Sequence, residues 1–473
     1  KIKNKKILVL INPPYVESTE AGSKIGGGKS GASQTKLNDE YFKKKWGRAS
    51  NELFTQFLAK IYDTLDLSLT TIAVFSKMKY CNSKNFEKFR EVFKAKFLGG
   101  FLMPSKAFYL KGDFPIGFCI WDATVKEKIT QIDLDVLEFK FDKKKENIIK
   151  IEKTEIKSFY SYENKTYLND WLPKSKPDGT KAIPLSNPLD YFKGKGIRQE
   201  QKNKGQIGYI SGFAGSDFQH NNIVYILSEV AGHGNGNGII LKNLKHALIY
   251  LAVRKCIAPT WLNDRDQFLK PNFDVDEPQT LEQKDFISNC IVYALFNGAN
   301  NTSECVLNYK DKDWKITNYF FPFKPEELGF RPADFPINKK MMEIGGGLEG
   351  TTNYEFYMPD WLEQFSFTCE AEAVLSHCKK IYILYENLLN AGEFKREIVK
   401  ELQLCLNAGW YQIKKSFTMS AGLKSYNAKK IDDWLSGLNV SEECYTLWGD
   451  FDRLYENLRR EVEIGVWRYE FLK

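Results

Sequence analysis

The chain has 473 residues, of which 43% are hydrophobic and 14% aromatic, and this composition is typical of a globular protein with two or three domains. It has no apolar stretch of roughly 18–20 residues and no visible signal peptide, so we expect a cytoplasmic protein without a membrane partner. Its nine cysteines include no C-x-x-C pair, so we expect no disulfide framework and no metal site. The net charge of +8 is unevenly distributed: residues 1–48 hold eleven Lys and Arg against four Asp and Glu, and residues 141–204 hold fifteen against nine. Such clusters of basic residues suggest phosphate binding, but lysine-rich surface loops have the same composition.

The first predicted element is a strand. Residues 7–11 form an uninterrupted run of Ile, Leu and Val, which is typical of a strand buried in a parallel sheet. The run leads directly into Asn12-Pro13-Pro14-Tyr15, where proline fixes φ, lacks an N–H and keeps the preceding residue extended. Ligands of open α/β sheets bind at the carboxyl ends of strands, so we predict that this turn binds a ligand.

The residue types in this turn suit an exocyclic aromatic amine such as N6 of adenine. Such an amine is a poor nucleophile because its lone pair is delocalised into the ring. An Asn side-chain oxygen and a backbone carbonyl can accept both of its hydrogens, which stabilises the positive charge that develops during attack on a methyl donor. Tyr15 offers a ring on which the base can stack, an interaction worth roughly 1–3 kcal/mol. The alternative is a buried strand that ends in an ordinary Pro-Pro turn.

A glycine-rich loop follows at residues 26–30. It does not fit the P-loop pattern, because Ser23 stands where that pattern requires glycine. We predict a mobile loop beside the site that closes over the substrate, with Lys24 and Lys29 reaching a backbone phosphate. A plain flexible loop fits the same residues.

Helices and strands alternate over the next part of the chain. Apolar spacing predicts helices over residues 51–65 and 86–97, and apolar or β-branched runs predict strands over residues 68–75, 99–103 and, after a loop, 114–122. This alternation predicts a parallel sheet with helices on its faces.

Four segments, taken in their order along the chain, resemble the N6-adenine DNA methyltransferases. They are residues 12–15, the helix after them, residues 73–80 and residues 114–122. The likeness is closest to the γ-type enzymes of restriction–modification systems, including fused type IIG-like ones, and residues 259–268 look like part of their C-terminal region. It is fairly specific over residues 1–125 and loose over residues 126–473. The resemblance implies that Asn12-Pro13-Pro14-Tyr15 holds a flipped adenine: Asn12 and the Pro13 carbonyl accept from its amine, and Tyr15 stacks on it.

The resemblance implies two further features of the site. A later aromatic residue stacks on the opposite side or edge of the base, with Phe114 as first candidate and Phe118 as second, although both could be core residues. The methyl donor would be S-adenosyl-L-methionine, whose Phe-x-Gly-x-Gly binding loop precedes the strand in this family. Only eleven residues precede Asn12 and the first is not Met, so we expect the donor loop upstream, on an N-terminal half or other polypeptide that completes the catalytic domain. Relocation to the glycine-rich residues 212–217 or 232–238 is the alternative.

The rest of the chain predicts an α+β region followed by helices. Residues 129–141 and 148–159 are strand-like, and Pro, Gly and Asp interrupt residues 173–196. Helical spacing recurs over residues 241–256, 286–296, 375–389, 394–408, 427–435 and 451–466. We therefore expect the C-terminal part of a Rossmann-like methyltransferase sheet over residues 1–125, a target-recognition, DNA-binding domain over 126–395 and a helical region over 396–473.

The hypothesis is a site-specific DNA adenine N6-methyltransferase that acts on double-stranded DNA. Asn263, Arg265 and Gln267 are polar and clustered as base readers would be, but a turn capped by its side chains explains Asn263 equally well. One rival is a DNA-binding specificity module without catalysis of its own. Another is part of a fused restriction endonuclease–methyltransferase, for which E-x-K tripeptides such as Glu155-Ile156-Lys157 are weak evidence. RNA or protein methylation is a third, because Asn12-Pro13-Pro14-Tyr15 also resembles turns in enzymes that methylate glutamine amides.

Overall fold

The computed structural model of the protein describes residues 5–15, 43–108, 110, 112–141, 148–185, 199–231, 235–329, 356–405 and 408–473. Over these residues the chain is a mixed α/β protein with a multi-stranded mixed sheet near its N-terminus and a helical C-terminal region. The predicted strand after residue 6 and the predicted C-terminal helices are both present.

The first sheet has six strands in the order β1-β2-β4-β3-β5-β6. β1 pairs with β2, and β3 with β5, in parallel, whereas β4 and β6 run antiparallel to their neighbours. The prediction of a parallel sheet, which concerned the strands up to residue 122, is therefore wrong for β4. The physical reason is the length of the connections, because parallel pairing needs a crossover of about a dozen residues or more and β3–β4 and β5–β6 are joined more tightly. The strands are β1 Ile7–Ile11, β2 Thr70–Lys77, β3 Lys96–Pro104, β4 Pro115–Asp122, β5 Gln131–Phe141 and β6 Ile148–Tyr160.

One face of this sheet is covered by short helices and forms a core. Ile72, Val74 and Trp121 lie in one buried cluster with Phe54 and Phe89 from the helices. The predicted helix over residues 51–65 is confirmed, but the one over 86–97 ends early because β3 begins at Lys96. The helices are α1 Lys43–Trp46, α2 Leu53–Thr64, α3 Lys79–Asn82 and α4 Glu87–Val92, with 3₁₀ turns at Gly47–Asn51, Leu67–Leu69 and Lys84–Phe86.

The opposite face carries apolar side chains that remain exposed. Leu8 and Leu10 of β1 are 69% and 66% exposed, and Ile156 of β6 is 62% exposed. The prediction of a buried first strand is thus wrong for Leu8 and Leu10. The face of β1 that carries Ile11 packs on the core under the helices, whereas the described residues leave the opposite face, which carries Leu8 and Leu10, uncovered. Alternation along the strands puts Leu10 on the same face as Phe75.

A second, smaller sheet and two buried helices organise the middle of the chain. The sheet has the order β11-β9-β10-β12, and it packs with α6 and α7 in the largest hydrophobic core. Within this core the Arg254 guanidinium is fully buried and bonded to Asn221 and to the Gly215 and Asp217 carbonyls, which ties the loop after β9 to α6. The elements are β7 Thr180–Lys181, β8 Gln201–Lys202, β9 Gly208–Ser211, β10 Ile226–Leu227, β11 Gly236–Ile239, β12 Asn300–Asn301, β13 Cys305–Tyr309, β14 Lys312–Ile316, α5 Leu168–Trp171, α6 Leu244–Lys255 and α7 Leu281–Leu295, with 3₁₀ turns at Phe218–Ile223, Leu241–Asn243 and Pro325–Leu328.

Helices make up the C-terminal region, where Trp410 and Trp448 are buried at the centre. The predicted helices over residues 375–389, 427–435 and 451–466 are confirmed, and the one over 394–408 is shorter than predicted because it ends at Leu402. No helix in the described ranges is both long enough and apolar enough to span a bilayer. The helices are α8 Met358–Leu362, α9 Cys369–Ala391, α10 Arg396–Leu402, α11 Trp410–Ser420, α12 Ala428–Leu435 and α13 Leu447–Arg468, with a 3₁₀ turn at Glu442–Thr446.

Residues 259–268 return from the middle of the chain to the first sheet. Trp261 packs against the core of that sheet and donates from its indole nitrogen to Glu138 in β5 at 3.2 Å. Lys157 in β6 forms an ion pair with Asp266, and the Asn82 side chain donates to the Arg265 carbonyl at 2.7 Å. The sheet itself continues through β6, so the predicted division at residue 125 falls between two of its strands.

Candidate functional site

The candidate site lies at the edge of the first sheet where β1, β2, β3 and β5 end. Because these four strands run in the same direction, their carboxyl ends meet there, together with the start of β4. Asn12-Pro13-Pro14-Tyr15 follows β1, Lys77 ends β2, and the loop over residues 105–114 joins β3 to β4. Asn12 and Pro14 are exposed, Tyr15 is half-buried and Pro13 is buried. The turn predicted from sequence therefore lies where ligands of such sheets bind.

Asn12 and Tyr15 interact directly within the turn. The Tyr15 hydroxyl donates a hydrogen bond to the Asn12 side-chain oxygen at 2.5 Å. Burial raises the pKa of Tyr15 well above its ordinary value, so its hydroxyl stays protonated and remains a donor. An amide oxygen has two lone pairs, so Asn12 can accept a second hydrogen bond while this one orients it.

Phe108 is a site residue that sequence reasoning missed. Its ring meets the Tyr15 ring edge-on, with centroids 6.1 Å apart, and it also meets Phe75 at 5.6 Å. Phe118, the second sequence candidate, packs instead against Phe75 at 4.6 Å and Phe101 at 5.2 Å, in a row across the sheet face. The one signal available for Phe108 was its place in a loop before a strand, which Phe114 shares.

Phe114, the first sequence candidate, lies at the same edge beneath two cations. The Arg265 guanidinium is 5.5 Å and the Lys77 ammonium 5.9 Å from the centre of its ring, both within the range of cation–π attraction. Lys77 also forms an ion pair with the buried Glu52 at 3.4 Å, which fixes the end of β2 against the start of α2.

Ser105 closes the loop that carries both phenylalanines. Its backbone N–H donates to the Phe114 carbonyl at 2.9 Å, and its hydroxyl accepts from the Phe114 N–H at 3.2 Å and donates to the Gly112 carbonyl at 3.1 Å. Ser105 is itself fully buried. These bonds fix the position of Phe114 at the base of the loop.

The residues considered as base readers are turned inward. Arg265 and Gln267 are each 3% exposed, and Arg265 donates to the Gln219 side chain and lies 3.1 Å from the Asp264 carboxylate. Asn263 accepts from the Thr260 N–H at 2.7 Å and donates to the Ala258 carbonyl at 3.0 Å. The turn-capping alternative is thus the one observed for Asn263, and Arg265 belongs to the support of Phe114.

Asp264 makes this support sensitive to pH. Burial raises the pKa of Asp264 to about 6, although the neighbouring charge of Arg265 lowers it in part. The folded protein therefore favours the protonated carboxyl of Asp264. This group contributes stability to the fold below its ordinary pKa of 3.8, and that contribution is lost as pH rises through about 6.

We expect Asp264→Asn, which keeps the neutral shape, to become increasingly more stable than the unsubstituted chain between pH 4 and pH 7. Urea unfolding at several pH values measures this difference, and Asp274→Asn, at an exposed aspartate, is the control. A difference between Asp264→Asn and the unsubstituted chain that stays constant with pH would contradict the assignment.

The remaining candidates from the sequence are the glycine-rich segments and the lysines of the first of them. Lys24, Lys29 and the glycine-rich loop at 26–30 lie outside the described residues. Gly212 follows β9 with φ of +95°, but the turn after it leads to the 3₁₀ segment Phe218–Ile223 and not to an α-helix. Residues 232–234 of the other glycine-rich segment also lie outside the described residues. The relocated donor loop therefore gains no support from residues 212–217.

Comparisons with known proteins assign neither a family nor a function to the chain. No known protein family matches the chain, and no curated protein has a matching sequence. Within the described ranges, no group of three or more His, Cys, Asp or Glu side chains is arranged to hold a metal ion.

Proposed function

We propose that the chain is a component of a site-specific DNA adenine N6-methyltransferase of a restriction–modification system. The observation that carries the proposal is the placement of Asn12, with its side-chain oxygen oriented by Tyr15, at the carboxyl end of the parallel pair β1–β2. This geometry offers acceptors for an amine beside an aromatic ring. The sequence resemblance described above is the second support.

The reaction acts on an adenine that leaves the DNA stack, at a cost of a few kcal/mol. The base stacks on Tyr15, and the Asn12 oxygen and the Pro13 carbonyl accept its two N6 hydrogens. S-adenosyl-L-methionine supplies an electrophilic methyl group when bound. These acceptors localise the N6 lone pair for attack and stabilise the positive charge on the nitrogen, which afterwards loses one proton to solvent. Asn12 cannot itself take up this proton, so it acts by positioning and electrostatics.

The exposed face and edge of β1 support a partner polypeptide. Parallel strands are almost always covered on both faces, yet Leu8 and Leu10 are 69% and 66% exposed and no described strand pairs with the outer edge of β1. Contiguous exposed apolar surface of this kind marks an interaction site. In this proposal the partner adds a strand beside β1, covers both leucines and provides the donor site, which no described residues form.

Charge supports double-stranded DNA as the other partner. The turn lies in the basic N-terminal block, and Lys150 and Lys153 are exposed on the edge strand β6, where they form ion pairs with Glu152 and Asp135. Lysine on an edge strand also hinders aggregation, so these residues have a second physical role. Clustered lysines would contribute sequence-independent affinity that falls steeply with salt.

The test is the N6-methyladenine content of plasmid DNA, measured by mass spectrometry in cells that lack other adenine methylases. The chain is expressed with and without the coding region immediately upstream. We expect methylation only when both are present, since the donor site is proposed to lie on the partner. Methylation by this chain alone would overturn the partner proposal, and no methylation in either case would favour a DNA-binding specificity module or a different substrate.

A further inference from the structure

The 3₁₀ turn Phe218–Ile223 places exposed polar side chains of the middle region beside the candidate site. The Gln219 N–H donates to the Asp264 carbonyl at 3.1 Å, and the Gln219 side-chain oxygen accepts from the Arg265 guanidinium. That guanidinium lies 5.5 Å from the centre of the Phe114 ring. One buried side chain therefore joins the turn to the edge of the first sheet that carries the candidate site.

Buried groups hold the backbone of the turn in place. Arg254, which is fully buried, donates to the Asn221 side chain and to the Asp217 carbonyl, and Asn221 donates back to the Arg254 carbonyl at 2.7 Å. The Phe218 ring is buried and packs on Phe268 at 4.7 Å. Exposed side chains of this turn therefore start from a fixed backbone, as a recognition element requires.

The contact with Arg265 decides what Gln219 offers to a ligand. A guanidinium has donors and no acceptor, so the Gln219 atom that bonds to it is the amide oxygen. Gln219 is exposed, and within the described ranges its amide nitrogen has no hydrogen-bond partner. Gln219 therefore presents a hydrogen-bond donor to solvent.

Asp217 determines what His220 offers in the same way. The buried Asp217 carboxylate lies 2.5 Å from His220 Nδ1, and a Cβ at Gly215 would come within 2.8 Å of the same nitrogen. Burial acts to raise the pKa of Asp217, but the hydrogen bond from His220 and nearby arginine charges hold it below its ordinary value, so the carboxylate accepts. Nδ1 therefore carries a proton, and Nε2 of the neutral, 29% exposed side chain is an acceptor.

We infer that the turn Phe218–Ile223 reads an A·T base pair of the recognition sequence, with Gln219 donating to adenine N7 and His220 accepting from the adenine amine. This inference rests on the proposed function, because it needs duplex DNA at the neighbouring edge of the first sheet. Among the four bases, adenine alone presents an acceptor and a donor together on its own major-groove edge. Gln219 and His220 offer the complementary pair, and Arg265 and Asp217 are their positioning residues.

The experiment uses the chain together with its proposed partner. The positions of N6-methyladenine in plasmid DNA first give the recognised sequence, and methylation rates are then measured on synthetic duplexes that carry each base pair at each recognised position. Gln219→Leu removes the donor, Gln219→Glu replaces it by an acceptor and keeps an oxygen for Arg265, and His220→Phe removes the acceptor. Gln364→Glu, at an exposed glutamine after α8, is the matched control, and thermal melting checks that each variant folds.

We expect Gln219→Leu and His220→Phe to reduce discrimination at one A·T pair, measured as a ratio of kcat/KM values, by about 5- to 150-fold, the range of one base contact. Gln219→Glu should shift the preference at that pair toward cytosine, which presents a donor there. Discrimination at the other positions should not change, and the Gln364→Glu control should match the unsubstituted chain at every position.

Unchanged discrimination in folded Gln219→Leu and Gln219→Glu would overturn the inference, as would an equal loss of methylation on all duplexes or a change confined to a G·C pair. Each of these results leaves the proposed function standing, and the Gln219 variants decide the outcome if His220→Phe fails to fold. Absence of methylation by the unsubstituted complex would instead overturn the proposed function and this inference with it.

Discussion

Replacing Asn12 by alanine is expected to lower methylation by about 100- to 1,000-fold, the loss seen when one oriented polar group is removed from a reacting centre. Asn12 is exposed at the end of β1, and among the described residues its side chain bonds to Tyr15 of the same turn, so we expect its loss to leave the fold intact. Duplex binding, measured by fluorescence anisotropy, should change by less than about 3-fold because phosphate contacts dominate affinity.

The matched control for this prediction is Asn439→Ala, at an exposed asparagine in the C-terminal helical region. It should retain full methylation. If Asn12→Ala instead lost stability and DNA binding along with methylation, the turn would have a structural role, and the buried-strand interpretation of residues 7–15 would be favoured.

The double substitution Leu8→Lys with Leu10→Lys is expected to abolish association with the partner polypeptide proposed above. Both side chains are more than half exposed, so the free energy of unfolding of this chain should change by no more than about 0.5 kcal/mol. In the complex each lysine would be buried without a partner, which costs far more than an interface of this kind can compensate. Co-purification of the upstream polypeptide with the tagged chain measures the association.

Leu241→Lys with Leu281→Lys provides a matched control, because these leucines are also exposed but lie elsewhere in the fold. It should leave association unchanged. Undiminished co-purification of the β1 variant would show that the exposed face of β1 is not the contact surface. Association is the readout because β1 leads directly into Asn12, so activity could fall for a local reason.

Local sequence patterns predicted most of the elements correctly. The apolar spacing of residues 51–65, 286–296 and 451–466 fits helices that bury one face, and the helices found there extend by only a few residues beyond the predictions or stop short of them. The Pro-Pro turn after β1 was also predictable, because proline restricts the backbone without help from distant residues. Element boundaries were predicted less well where a segment such as residues 93–97, in which apolar residues alternate with lysine, fits either the end of a helix or the start of a strand.

Contacts between distant segments could not be predicted in this way. Arg265 lies over the Phe114 ring although it is far away in sequence, and it reaches that ring only because residues 259–268 fold back on the first sheet. The burial of Arg265 and Gln267 likewise results from this packing, since the same residues in an isolated turn would be solvated.

The sequence by itself determined the strand, the turn with its acceptors and its aromatic ring, and the helical C-terminal region, because these follow from short-range periodicity and backbone restriction. Only the tertiary structure decided that the sheet is mixed, that β1 is its edge with Leu8 and Leu10 exposed, and that Phe108 lies against Tyr15. Strand order and side-chain neighbours depend on which distant segments pack together, and the pattern of any one segment does not contain that information.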